Sequence, residues 1–131
     1  MQGPENLEHS EVYLKKQLFK AARTDKVEIL NTTLPKIGSL ENSYCYLHKK
    51  DPEQRNVIAL CLLFGSHNVL SRIYELYDSQ IDMTLVIMRQ EYDFNQPIQM
   101  AAGLAQFGGS LREKSMKTIS FLLQIIQAKI Q

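Results

Sequence analysis

Hydrophobic positions along the chain recur with helical spacing, and the segments they form are short and sharply punctuated. From Ser10 onward Val12, Tyr13, Leu14, Leu18, Phe19 and Ala22 keep one face apolar, which predicts a first helix ending at Thr24-Asp25. Asp25 is then expected to cap a second helix carrying Val27, Ile29, Leu30 and Leu34. That helix should end by Pro35, because the residue before a proline is steered away from helical geometry. After a turn through Ser39, Leu40, Tyr44, Cys45, Leu47 and His48 form a short amphipathic stretch. Asp51-Pro52-Glu53-Gln54 reads as a helix start, with a capping side chain, a proline in the first turn and an acidic residue near the positive helix end.

The run that follows, Val57 to Phe64, is apolar all round, as expected of a helix covered on both sides. Gly65-Ser66 should close it and cap the next helix, which bears Val69, Leu70, Ile73, Tyr74 and Tyr77. Ile81 to Arg89 aligns with Leu40 to His48 after a slip of one residue. Its Leu85-Val86-Ile87-Met88 core is compatible with a strand by period alone, and the repeat context favours a helix. Gln96-Pro97 opens a helix through Ile98, Met100, Ala101, Ala102 and Leu104 that Gly108-Gly109 breaks. Ser110-x-x-Glu113 is a capping-box pattern before a last helix with Ile119, Phe121, Leu122, Ile125, Ile126 and Ile130.

One phrase recurs at an interval of 40 residues, anchored at Ala22, Leu62 and Ala102. A period of that size marks helical units that bury their faces only against neighbours. Gln96-Pro97-Ile98-Gln99-Met100-Ala101-Ala102, Asn56 to Ser66 followed by Val69-Leu70, and Leu18 to Leu30 together resemble the ankyrin repeat, over most of residues 18 to 123. The resemblance implies an all-α, short helical-repeat array of three degenerate helix-turn-helix units with extra short helices, binding a protein partner through its inter-repeat turns and the exposed face of its inner helices. Three features depart from that family: the interval is longer than its 33 residues, Gln96 and Gln99 stand where it has threonine and histidine, and the last copy carries an insertion. An armadillo- or HEAT-like array, with two or three helices per unit, is the second reading, and an irregular helical bundle the third.

Length and composition narrow the class. With 131 residues the chain should form one domain spanning 1–131, and a formal net charge of +1 gives no bulk electrostatic argument for nucleic acid or a membrane. No stretch approaches the roughly 18 apolar residues of a membrane span, and Met1 to Asn6 lack the pattern of a signal peptide. Cys45 and Cys61 lie in apolar runs without metal-ligand spacing, so both are expected to be buried reduced thiols in a cytoplasmic setting, whether the cell's own or a host's.

Candidate chemistry is sparse. The sequence has no phosphate loop, no His-Glu-x-x-His, no Cys-x-x-Cys and no nucleophile elbow, so no catalytic residue, metal or cofactor is assigned. His9, His48 and His67 read as surface or loop residues. Two clusters suit a protein partner instead. Tyr92-Asp93-Phe94 precedes the Pro97 helix and offers aromatic contact area, while Tyr44 and Tyr46 lie near Lys49, Lys50 and Arg55. The sequence thus predicts a protein-interaction module, an adaptor or effector, either monomeric or weakly self-associating. A small helical enzyme with an unrecognised pocket and a structural self-associating protein are the alternatives.

Overall fold

A computed structural model describes residues 10–92 and 95–130. All regular structure among them is helical: α1 (Glu11–Thr24), α2 (Val27–Ile37), α3 (Leu40–Leu47), α4 (Val57–Phe64), α5 (His67–Tyr77), α6 (Met83–Met88), α7 (Pro97–Gly103), a 3-10 turn (Leu104–Phe107) and α8 (Gly109–Ile130). Helices α1, α4 and α7 pack one on the next, and α2, α5 and α8 pack similarly behind them. Short helices α3 and α6 lean on this second row. At the centre lies α4, where Val57 through Leu62 are all buried, between α1 on one side and α7 on the other. The all-round apolar sequence of α4 follows from that position.

The turns after α1 and α4 share one geometry. Asp25 and Gly65 both adopt the left-handed conformation, at φ 55° and 67°, and each donates its backbone N–H to the carbonyl four residues back, Ala21 and Cys61. Lys26 and Ser66 donate to the same two carbonyls, at 3.2 and 2.8 Å. Corresponding residues therefore stand 40 apart, and so do the ends of α2 and α5.

Several local readings are corrected by long-range partners. Asp25 does not cap α2, whose N-cap is Lys26 without a side-chain bond. Its carboxylate instead accepts from the backbone N–H of Val69 and the amide of Asn68, both at 2.9 Å, and so caps the first turn of α5 from the neighbouring unit. Ser66 likewise gives its own helix no side-chain cap, and its hydroxyl donates to the Ala22 carbonyl of α1. The first two turns are thus stapled to one another. Ser115 of α8 makes the comparable bond to Ala101 of α7, at 2.6 Å.

Pro35 lies inside α2, which continues to Ile37. Burial of Thr33 and Leu34 holds the preceding residues helical against the local preference, and only one intrahelical amide is lost, near the helix end. No helix begins at Asp51, since α4 starts only after Asn56, whose side chain accepts from the Ala59 N–H at 2.8 Å. Ser110 falls within the first turn of α8 instead of capping it, because the helix begins at Gly109 with the Gly108 carbonyl already accepting from Arg112. The segment that could have been a strand is helix α6, capped by Asp82 on the Leu85 N–H. Ala102 is exposed and its neighbour Ala101 buried, so the third anchor is displaced by one residue. The final unit also inserts the 3-10 turn, which shifts its second helix.

Candidate functional site

The turn segment 48–56 is built around one carboxylate. Asp51 has 1% of its side chain exposed, yet it is surrounded by donors. Its Oδ1 accepts from the backbone N–H groups of Glu53 and Arg55, both at 2.9 Å, while its backbone N–H donates to the Arg55 carbonyl. Gln54 turns the chain back at φ 68°. A side chain that satisfies amides two and four residues on favours a closed turn over a helix start. The Oδ2 meets Arg55 Nε at 3.2 Å and Arg23 of α1 at 3.5 Å. Burial alone would push this carboxyl up, but the two amides and the Arg55 charge outweigh it and hold the group below its ordinary range.

Arg55 also reaches the next turn. Its guanidinium lies 5.8 Å from the Tyr92 ring, and Asn56 Nδ2 donates to Gln90 Oε1 at 2.8 Å beside it. Tyr92 and Asn95 pair through their backbones. Lys49, on the opposite flank, stands over Tyr46 at 5.1 Å and bonds Glu11 at the start of α1 at 2.9 Å. The Lys49 hydrogen bond and charge hold the Glu11 carboxyl low.

Lys49, Lys50, Arg55 and Tyr92 therefore belong to linked turns, with Tyr46 beside them at the end of α3 and Arg55 as an internal strut more than an exposed contact. Tyr44 belongs elsewhere. Its ring packs against Tyr77 and His48, with centroids 5.6 and 4.6 Å away, and Tyr77 in turn shares a 2.6 Å bond with Ser43. Asp93 and Phe94 lie outside the described residues, as does His9.

The histidine and cysteine expectations need correction. His48 and His67 are half-buried. His48 Nε2 has no hydrogen-bond partner and burial lowers its pKa, while His67 Nδ1 approaches Asp25 at 3.9 Å. Cys61 is buried, which pushes its thiol pKa up, but Cys45 is exposed.

A groove of about 460 Å³ runs along the same face, between α1 and the Lys50–Pro52 turn. Val12, Lys15, Lys16, Phe19 and Arg23 line its helix side. Their spacing sets Val12, Lys16 and Arg23 along the groove, beside the buried stripe of Leu14, Leu18, Phe19 and Ala21. Val12 is 64% exposed, which overturns its assignment to the core. The helical spacing was readable and Phe19 is buried as expected, but Val12 resembles a core position until the partner of each helix face is known. Comparisons with protein-family models, curated proteins and solved structures found no match. No helix of the described residues is long and apolar enough to cross a membrane.

Proposed function

We propose that this chain is a protein-interaction module: a short ankyrin-like array of helical units, joined by extra short helices, that docks a partner on its turn face. The observation that carries the reading is the coupling of the 48–56 and 89–96 turns to each other and to α1 through Arg55, Tyr92, Asp51 and Arg23. Lys50 is exposed on the first turn, Tyr92 is half-buried on the second, and Tyr46 is half-buried beside them at the end of α3. Preorganised aromatic and cationic groups supply contact area with little ordering cost. The 40-residue correspondence of Asp25 with Gly65 and of α2 with α5 supports the array.

The double variant Tyr46→Ala/Tyr92→Ala is expected to lose capture of partners from native lysate while its helical circular dichroism and cooperative melting persist. Full retention of every captured partner by the folded variant would count against the turn face.

One observation favours self-association as a second reading. On α8, Met116, Leu123 and Ile130 recur every seven residues and are 62%, 53% and 79% exposed, with half-buried Ile119 and Ile126 between them. This is the a/d spacing of a helix seam, which an identical helix from a second copy can fill. Sedimentation equilibrium of the chain is expected to give a dimer in that case, and Leu123→Glu a monomer. A monomer at all concentrations removes the second reading.

A further inference from the structure

The groove between α1 and the Lys50–Pro52 turn combines two chemistries. Its walls carry Lys15, Lys16, Arg23 and Lys50, while exposed Val12 gives it an apolar spot beside the buried ring of Phe19. Among the described residues Asp51 is the one carboxylate lining it, and that group is buried and held by Arg55, Arg23 and two backbone amides. Two guanidiniums face that single carboxylate, so the groove keeps an excess of positive charge. Among the described residues no ion pair engages Lys16 or Lys50, and both are exposed. With a formal net charge of only +1 on the chain, this concentration of cations is local.

We propose that the groove receives an acidic, leucine-bearing segment of a partner protein. An aliphatic side chain rests on Val12, and flanking carboxylates meet Lys15, Lys16 and Lys50. This rests on the interaction-module reading and names the chemistry of the partner. Charge complementarity sets the sign of the occupant, and the exposed apolar surface of Val12 distinguishes a peptide side chain from a bare polyanion. Nucleic acid is the less suitable occupant because the nearby rings are already covered: Lys49 stands over Tyr46, Arg55 over Tyr92 and Arg23 over Phe19. Base stacking requires free aromatic faces.

The probe is a fluorescein-labelled peptide of alternating glutamate and leucine, titrated with the full chain and followed by anisotropy. Binding is expected to weaken as salt is raised. Lys16→Glu/Lys50→Glu should weaken it by about tenfold or more, because both changed side chains are exposed and attraction becomes repulsion. Val12→Ser should weaken it without removing the salt dependence, and thermal melts confirm that each variant is folded. Equal binding of a glutamate–serine peptide, equal competition by oligouridylate of matched charge, or indifference to the double charge reversal each overturns the proposal. Failure of the glutamate–leucine peptide to bind, with Tyr46→Ala/Tyr92→Ala still losing its partner, removes the groove alone. If that variant keeps its partners, the module reading itself falls.

Discussion

Asp51→Ala is expected to destabilise the fold by about 3 kcal/mol, the scale for removing one member of a buried ion pair. The variant leaves two backbone amides, those of Glu53 and Arg55, without their acceptor, and leaves the Arg55 guanidinium, only 13% exposed, with Glu53 at 3.3 Å as its remaining carboxylate. Arg23 is 41% exposed and can turn to water, which keeps the loss from being larger. For a domain of this size the corresponding fall in melting temperature is roughly 10 °C, and urea denaturation should show a lower midpoint at unchanged slope. Asp51→Asn retains one acceptor oxygen and should lose less. A loss below about 1 kcal/mol for the alanine variant would show that the turn closes without its carboxylate.

The same group gives a pH dependence with a definite sign. Although burial opposes ionisation, the amide bonds from Arg55 and Glu53 and the Arg55 charge place the folded carboxyl below its ordinary value of 3.8. A depressed carboxyl contributes stability that is present above the unfolded value and is lost as pH falls through the folded one. The chain should therefore lose stability below about pH 4 partly through Asp51, and Asp51→Asn should flatten that acid limb while leaving the neutral-to-alkaline profile parallel.

The same residue shows where the sequence stops being informative. Asp51-Pro52-Glu53 carries local signals of a helix start, but the carboxylate finds better partners in the Arg55 amide and in Arg23 of another helix. Asp25 and Ser66 repeat the lesson, since each is a capping residue whose partner lies in the neighbouring unit, 44 residues away in sequence. Helical period, by contrast, depends only on nearby positions. For that reason the helices from α1 to α8 and the Gly65 turn were legible, as was the 40-residue offset of the first two units. Of the candidate site, Lys49, Lys50, Arg55 and Tyr92 were legible because turns advertise themselves by composition, and Tyr46 through its place beside them at the end of the α3 stretch. The α1 side of the groove was not, because Val12 shares the helical spacing of buried residues such as Phe19 and only the packing of α1 on α2 and α4 reveals which face is left.

Gly65→Ala is expected to be about as damaging as the loss of Asp51, for two separable reasons. Gly65 sits at φ 67° and ψ 33°, where a side chain adds roughly 1 kcal/mol of backbone strain. An added Cβ would also lie 2.8 Å from both Leu104 Cδ2 and Lys114 Cβ, and 3.3 Å from the Lys114 carbonyl carbon. Leu104 can turn aside, but the Lys114 contacts belong to the α8 helix itself, so the helix must back away from the α4–α5 turn. Overpacking of this kind costs about 1–3 kcal/mol, giving roughly 3 kcal/mol in all. Asparagine tolerates the left-handed conformation better than alanine, as Asp25 does at the corresponding first turn, and so Gly65→Asn removes most of the backbone part while keeping the Cβ. It should still lose about 2 kcal/mol in urea denaturation. Wild-type stability for Gly65→Asn would mean that α8 is not held at this distance. A persistent loss would make Gly65 the point at which the last helix is fitted onto the first two units, independently of the Ser115–Ala101 bond that fastens it to α7.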